Sequence, residues 1–236
     1  MSFLVCHLDQ YVLLVKVSYR NFEKKLRSLF KCNCDNLSFL FSFITVCRAK
    51  IDLAFVIDGS GSIEAYGKGN FKRCLNFVKR MVVSFKISKM FTRVGVILFS
   101  NRARRIFGFN TYSKKRDILR AIENIRYPRS GTRTGWALSY TRQTLFRSRS
   151  KVRKQVLVVM TDGGSQDSVS GPALALKRLG VDIFAVGIGK GYKIGQLLQI
   201  ASSKRNVYIA GFRNLPSIVR VIKTKACSGI MFITLI

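Results

Sequence analysis

LAFVIDGSGS, at positions 53–62, joins an apolar run directly to a D-x-S-x-S loop that begins at Asp58. A buried strand that stops on such a loop places one carboxylate and two hydroxyls in a single tight turn. These are hard oxygen ligands, which suit Mg²⁺, Ca²⁺ or Mn²⁺ better than softer metals. A second apolar stretch, QVLVVM at 155–160, runs into a T-D-G-G sequence that contains Asp162. Two carboxylates that end two buried strands are typical of a metal site in an α/β sheet.

From about residue 50 onward, apolar strands alternate with amphipathic helices. The predicted strands are 51–57, 93–99, 102–107, 155–160, 181–186 and 207–210. The predicted helices are 71–85, 113–125, 136–145, 172–179, 194–201 and 215–225. The 102–107 strand is short and basic, as edge strands tend to be. This alternation predicts an α/β, doubly wound fold, with a mostly parallel central sheet, one short antiparallel edge strand and helices on both faces.

The chain of 236 residues is 48% hydrophobic, which is enough for one domain with extensions. We expect the domain at 47–227, after an unassigned segment 1–46 and before a short apolar tail 228–236. Residues 37–46 resemble the apolar core of a signal peptide but lie far from Met1. No stretch reaches the roughly 18 uninterrupted apolar residues of a membrane span, so none is predicted.

The charge of the chain is strongly unbalanced, with 42 Lys and Arg against 11 Asp and Glu, a net charge of +31. A solvated basic surface is one interpretation, but an imbalance of this size also attracts polyanions. Nucleic acid, sulfated glycans and anionic membranes would all respond to it. The candidate polyanion-binding residues are Arg102, Arg104, Arg105, Lys114, Lys115, Arg116, Arg149, Lys151, Arg153 and Lys154.

The positions of the cysteines and of the single histidine further limit the possible functions. Cys47 precedes the first domain strand and Cys227 follows the last helix, and because chain ends of a compact domain are often close, these two could bridge. Cys74 falls on a helical apolar stripe, which indicates a buried thiol. His7 is the only histidine and lies outside the expected domain, which argues against histidine-based catalysis and histidine-rich metal sites.

The metal interpretation has a plain alternative for each residue taken singly. Ser60 and Ser62 could cap the helix that follows them, and Thr-Asp-Gly is a common turn. The interpretation gains weight when both strand ends and the intervening Thr132 are taken together, because ligands in such sheets bind at the carboxyl ends of strands where the strand order reverses.

Four motifs then carry a family resemblance: DGSGS at 58–62, RVGVILFS at 93–100, GTRTG at 131–135 and TDG at 161–163. In this order and at these intervals they resemble the von Willebrand factor type A (vWA) domain over about residues 51–226. The likeness is greatest to the extracellular branch found in matrilins and collagen-associated proteins, in which cysteines flank the domain. The resemblance therefore implies a disulfide between Cys47 and Cys227.

The resemblance also implies a metal-ion-dependent adhesion site. Its implied ligands are Asp58, Ser60, Ser62, Thr132 and Asp162, around Mg²⁺ or alternatively Mn²⁺ or Ca²⁺. One position on the ion would stay open for a glutamate or aspartate of a partner protein. The first threonine of the G-T-x-T-G loop, and not Thr134, matches the family's ligand, and Glu64 is given no ligand role. This chain has fewer acidic residues than the family usually carries.

The leading functional expectation is a secreted, extracellular adhesion module that binds a matrix protein such as collagen through the metal. The alternative is a metal-independent binder of heparin-like sulfated glycans through the basic surface. Nucleic acid is disfavoured because no stacking surface or nucleic-acid motif is apparent. An enzyme is not expected, because no phosphate-binding loop, histidine or activated nucleophile accompanies the two aspartates.

Overall fold

The structure is a computed structural model that describes the backbone of residues 2–8 and 11–17 and the full residues 46–228. The chain divides into two compact units, Met1–Thr45 and Val46–Ile236. In the first unit, β1 (Ser2–Leu8) and β2 (Tyr11–Val17) pair as an antiparallel hairpin, which the sequence pattern does not predict. The signal-like stretch and the apolar tail lie outside the described residues except at Val46 and Ser228.

The second unit is built on a six-stranded sheet. Its strands are β3 (Ile51–Asp58), β4 (Arg93–Phe99), β5 (Ala103–Phe107), β6 (Lys154–Thr161), β7 (Asp182–Ile188) and β8 (Val207–Ala210). They are arranged in the order β5-β4-β3-β6-β7-β8, and every neighbouring pair is parallel except β4 with β5. The predicted α/β fold with one antiparallel edge strand is confirmed.

Helices surround this sheet and create a core on each face. They are α1 (Ser62–Ala65), α2 (Asn70–Val83), α3 (Lys115–Glu123), α4 (Thr134–Thr144), α5 (Ser170–Arg178), α6 (Ile194–Ile200) and α7 (Leu215–Cys227). Side chains of β3 alternate between the cores, because Leu53 and Phe55 join one buried cluster while Ala54 and Val56 join the other. Burial on both faces explains why residues 53–57 of β3 form a continuous apolar run. No helix within 46–228 is long and apolar enough to cross a membrane.

Several helix ends and one short helix differ from the sequence-based expectation. The third helix begins at Lys115 and not at Ser113, with an extended Lys114 before it and no side-chain cap. The second helix ends at Val83 and not at Phe85, and Phe85 is instead buried in the core. The one-turn helix α1 has no counterpart among the predicted helices, because four residues are too short to show an apolar period.

The strand order reverses between β3 and β6, which places a crevice at the carboxyl ends of these two strands. From β3 the chain proceeds outward to β4 on one side, and from β6 it proceeds outward to β7 on the other. The two central strands are in direct register, with Ile57 opposite Met160. The next residues, Asp58 and Thr161, therefore emerge side by side at the crevice.

A disulfide joins the two ends of the second unit. Cys47 and Cys227 are bonded, with 6.0 Å between their Cα atoms and 180 residues between them in sequence. The backbone around Cys47 is also tied to the end of α2, because Cys47 N donates to Ser84 O (3.0 Å) and Lys86 N donates to Cys47 O (2.7 Å). Cys74 is a free, buried thiol on α2, and its burial raises its pKa.

We expect the double variant Cys47→Ser/Cys227→Ser to lower the free energy of unfolding by about 3–5 kcal/mol, because the bond closes a long loop in the unfolded chain. Chemical denaturation of the oxidised wild type and the variant measures this difference. Peptide mapping without reductant should find Cys47 linked to Cys227 and Cys74 as a thiol. Equal stability of the two proteins, or Cys74 in a disulfide, would contradict the expectation.

Candidate metal centre

Three loops form the carboxyl edge of the sheet above β3 and β6, and backbone hydrogen bonds join them. We call residues 58–62 the first loop, 129–134 the second loop and 161–168 the third loop. Gly61 N of the first loop donates to Ser130 O of the second (2.8 Å), and Gln166 N of the third donates to Thr132 O of the second (2.8 Å). The loops thus form one connected platform, whose side chains are held by backbone geometry as well as by their own contacts.

Asp58 lies at the base of this platform, buried at the end of β3. Its Oδ1 accepts a hydrogen bond from Ser60 N (2.8 Å), and its Oδ2 accepts one from Thr161 Oγ1 (2.7 Å). Both carboxylate oxygens are therefore oriented by the protein, one by the first loop and the other by the third.

The two loop serines converge on Asp162, which is also fully buried. Ser62 Oγ donates to Asp162 Oδ1 (2.9 Å), Ser60 Oγ donates to the same oxygen (3.3 Å), and the two hydroxyls lie 3.0 Å apart. Four of the five residues named from the sequence are thus joined by direct contacts across about one hundred residues of chain.

Thr132, the fifth residue, is held in the second loop by backbone contacts. Thr132 N donates to Gln166 Oε1 (3.1 Å), and Thr132 O accepts from Gln166 N (2.8 Å). The described contacts therefore connect Thr132 to the third loop through Gln166 and not through Asp162 itself. Its side chain is nearly buried at the same edge, 9% exposed.

The electrostatics of the two aspartates favour a nearby cation. Burial raises the pKa of Asp58 to about 6, while the hydrogen bonds from Ser60 and Thr161 act in the opposite direction and the neighbouring Asp162 adds to the rise. Burial also raises the pKa of Asp162. Within the described residues neither carboxylate forms an ion pair with Lys or Arg. Two buried carboxylates this close together repel each other unless a positive charge joins them.

A divalent cation fits the groups that are present. Asp162 Oδ2 is buried and has no hydrogen-bond partner in the part of the chain that the structure describes, and the same is true of Thr134 Oγ1. Buried oxygens left without partners are rare and costly, and a bound ion satisfies such oxygens in many proteins. Carboxylate and hydroxyl oxygens are the donors that Mg²⁺ and Mn²⁺ accept. No group of three or more His, Cys, Asp or Glu side chains is clustered among the described residues. The candidate ligands therefore include only two carboxylates, and the others are hydroxyls.

Glu64 stands close to the first loop in sequence, but its carboxylate has a different role. Its two oxygens accept hydrogen bonds from Gly69 N (2.7 Å) and Phe71 N (2.8 Å) at the start of α2. A carboxylate at a helix N-terminus satisfies free backbone donors. This agrees with leaving Glu64 out of the ligand set.

Several residues that hold the platform have no recognisable signal in the sequence. Asp167 of the third loop accepts from Gly135 N (2.7 Å) and Trp136 N (2.8 Å), so it satisfies the start of α4 from 32 residues away. Gly135 is required there, because a Cβ at this position would lie 2.0 Å from Ser168 O. Tyr127 Oη donates to Ser60 O (2.5 Å) and supports the first loop from below. Caps and supports at such separations leave no local pattern to detect.

An open groove of about 540 Å³ begins beside the second loop. Its walls come from the β4–β5 turn and the first half of α4, and include Arg102, Arg133, Trp136 and Tyr140. Trp136 is 55% exposed, which is unusual for so large an apolar side chain. The surface next to the candidate metal centre is therefore cationic and aromatic.

The basic residues named from the sequence fall into two groups. Arg102, Arg104, Arg105, Lys114, Arg116, Arg149 and Lys151 are exposed. Arg153, Lys154 and Lys115 are instead engaged with the protein. Arg153 Nε pairs with Asp52 (2.8 Å), Lys154 Nζ donates to Lys225 O (3.0 Å), and Lys115 Nζ donates to Val83 O (2.9 Å).

These internal contacts correct the expectation that Arg153 and Lys154 are available to bind a polyanion. Arg153 is only 11% exposed in its side chain and also bonds Phe91 O, so its guanidinium is engaged with β3 and the loop before β4 and is not available to a polyanion. Lys154 additionally lies 3.5 Å from Asp182. The number of basic residues in a stretch of sequence does not reveal which of their side chains are engaged in contacts within the folded protein.

The fold and the site together define a class of protein. The von Willebrand factor type A domain matches residues 52–221, and the chain belongs to this family. The resemblance seen in the sequence is confirmed.

Individual relatives and solved structures are also similar to this chain. Human vitrin is 36% identical over 184 residues, covering 78% of this chain and 26% of vitrin. The transmembrane cell adhesion receptor mua-3 of Caenorhabditis elegans is 36% identical over 192 residues, covering 78% of this chain and 5% of the receptor. The chain thus spans about a quarter or less of these relatives. Proximal thread matrix protein 1 from the mussel byssus, solved with a zinc-occupied MIDAS motif, superposes with a TM-score of 0.73 at 32% identity, covering 81% of this chain and 52% of that one.

We expect Mg²⁺ or Mn²⁺ to raise the thermal midpoint of the wild-type protein and to leave that of Asp162→Ala unchanged, because the variant lacks the unpartnered carboxylate oxygen. At a cation concentration of about 100 times Kd, binding stabilises the folded state by about 2.7 kcal/mol. Thermal melts with the cation and with EDTA measure the shift. The matched control is Glu123→Ala, which removes an exposed acid on α3 and should keep the full shift. An equal shift in Asp162→Ala and wild type would contradict the site.

Proposed function

We propose that this vWA domain is an extracellular adhesion module that binds an acidic side chain of a matrix protein through a divalent cation. The observation that supports the proposal is the convergence of Ser60, Ser62 and Asp162 at the carboxyl edge, where one buried carboxylate oxygen of Asp162 has no partner among the residues that the structure describes. The cation proposed is Mg²⁺, with Mn²⁺ or Ca²⁺ as substitutes, and the ligand set is Asp58, Ser60, Ser62, Thr132 and Asp162.

The donor set favours binding a ligand over merely holding a metal. Both oxygens of Asp58 already accept hydrogen bonds from the protein, and the remaining donors are hydroxyls and one further aspartate. When bound, a divalent cation supplies Lewis acidity that hydroxyl donors quench only weakly. A site made only to retain a metal would use more carboxylates. Here two aspartates would leave a divalent cation incompletely neutralised, so that it would still attract a carboxylate of a partner protein.

The surroundings of the site are suited to an acidic partner. Arg102 and Arg133 flank the groove beside the second loop, and the domain as a whole is strongly basic. Positive charge around a binding site raises the rate at which anionic partners arrive. The exposed Trp136 offers apolar contact area in the groove beside the second loop, as aromatic anchors do at protein interfaces.

The relatives support this proposal through their own descriptions. One is named a cell adhesion receptor, and a matrix protein of the mussel byssus carries an occupied MIDAS motif. Secretion is part of the proposal, and the disulfide between Cys47 and Cys227 is in keeping with an oxidising compartment. We take 47–227 as the functional domain. Catalysis is not proposed, because the whole chain contains a single histidine, at position 7, and no phosphate-binding loop motif accompanies the two aspartates in the sequence.

Immobilised type I collagen is a practical probe of the proposal, alongside the same collagen with its carboxyl groups converted to amides. We expect wild-type protein to bind native collagen in Mg²⁺, to lose binding in EDTA and to ignore the amidated collagen. Asp58→Ala and Thr132→Ala should each lower affinity at least about tenfold, since even the loss of an outer-shell partner of a metal ligand typically has an effect of about ten- to a hundredfold. Surface plasmon resonance gives the affinities.

The matched control is Thr144→Ala, which removes a threonine at the other end of α4, where its hydroxyl donates to Tyr140 O (2.7 Å). It should bind collagen like wild type, and circular dichroism should show all the variants folded. Chelator-sensitive binding that survives in both Asp58→Ala and Thr132→Ala would refute the ligand assignment. Equal binding to native and amidated collagen would refute capture of a carboxylate.

A further inference from the structure

A cleft of about 640 Å³ opens at the opposite, amino-terminal edge of the sheet. It lies between the start of β4, the segment after β5 and the chain that leaves α4. Its walls include Asp52, Arg93, Arg105, Phe109, Arg147 and Ser148. Asp52 and Asp58 are six residues apart on β3, so this cleft is about 20 Å from the candidate metal centre. The two sites cannot share a ligand atom.

The charge of the cleft is positive despite the aspartate in its wall. Asp52 is buried and is paired with two guanidiniums, Arg93 Nη2 at 2.7 Å and Arg153 Nε at 2.8 Å. One carboxylate therefore faces two cations. Adding Arg105 and Arg147, which line the cleft without an acidic partner among the described residues, leaves a clear positive excess.

Two guanidiniums at the rim each contact the end of α4 and keep most of their N–H donors available. Arg147 Nε donates to Gln143 O (3.0 Å), and Arg105 Nη1 lies 3.4 Å from Thr144 O, so both are attached to the last turn of α4. Both residues are exposed. Each contact occupies one of five N–H donors, so the planar forks remain free for a tetrahedral oxyanion.

We propose that this cleft binds the sulfate groups of a sulfated glycan, independently of the metal. Guanidinium forks match the oxygen spacing of a sulfate ester, and forks that already contact the end of α4 lose less side-chain entropy when they bind. A nucleic acid is the poorer fit, because the aromatic ring that lines the cleft, Phe109, already contacts the Arg93 guanidinium (5.8 Å from its centroid) and the Phe146 ring (5.4 Å between centroids).

The competing interpretation is that Arg105 and Arg147 only cap the carbonyls at the end of α4. Such contacts are common at helix C-termini and need no ligand. The two interpretations predict different effects on glycan binding when cleft arginines and neighbouring arginines are replaced. Arg104 lies on the opposite face of β5 and Arg149 lies against Gly180, at 3.4 Å from the Cβ position there, and neither lines the cleft. They provide a control with identical charge in the same two segments.

The experiment compares Arg105→Gln/Arg147→Gln with the control pair Arg104→Gln/Arg149→Gln, both in the full chain and in EDTA. The probe is heparin, with chemically desulfated heparin and a single-stranded oligonucleotide as competitors. At physiological salt the cleft pair should bind heparin about tenfold or more weakly than wild type, and the control pair within about twofold. The slope of log Kd against log salt should fall by about one per cleft arginine removed.

Equal losses in the two pairs would show that heparin senses diffuse charge, and would overturn the proposal. So would undiminished binding by the cleft pair, or competition by desulfated heparin or the oligonucleotide as effective as that of heparin itself. Because every measurement is made in EDTA, its outcome is independent of the carboxylate-binding function proposed above. Thermal melts of both pairs identify any variant whose loss comes from unfolding.

Discussion

Two carboxylates buried side by side impose the main constraint on this domain. Asp58 and Asp162 end up together because β3 and β6 are adjacent parallel strands in direct register, each continuing into a polar loop. Burial raises the pKa of both, and no lysine or arginine among the described residues pairs with either. The serine hydroxyls, the Thr161 contact and the interlocked backbones of the three loops all serve to hold this repulsive pair in place, and a divalent cation would relieve it.

The sequence predicts the fold and the identity of the first and third loops because their signals are local. A buried apolar run that ends on D-x-S-x-S is visible at 53–62 without any knowledge of its partners. The supports of the site are different. Asp167 satisfies the start of α4 across 32 residues, and Tyr127 holds Ser60 across 67, so no periodicity or motif announces them. The same limit applies to charge, since Arg153 and Lys154 look like a displayed basic run until Asp52 and the carbonyl oxygens are placed beside them.

The two edges of the sheet have opposite charge, and this suggests that each binds a different kind of ligand. The carboxyl edge has buried negative charge that needs a cation, while the amino-terminal edge has one aspartate, Asp52, gripped by two arginines and further guanidiniums at its rim. A domain with this polarity would engage a protein carboxylate at one end and a sulfated chain at the other. Matrix proteins and sulfated glycans occur together outside cells, so both contacts would serve one adhesive role.

The most direct test of the metal centre is an anomalous difference map from crystals of this domain soaked in Mn²⁺. We predict one strong peak at the carboxyl edge, within bonding distance of the hydroxyl oxygens of Ser60 and Ser62 and close to Asp162, and its disappearance from crystals of Asp162→Ala. The assignment of a metal centre would be contradicted if no peak appeared at this edge at millimolar Mn²⁺. It would also be contradicted if the only peak lay next to residues outside the three loops.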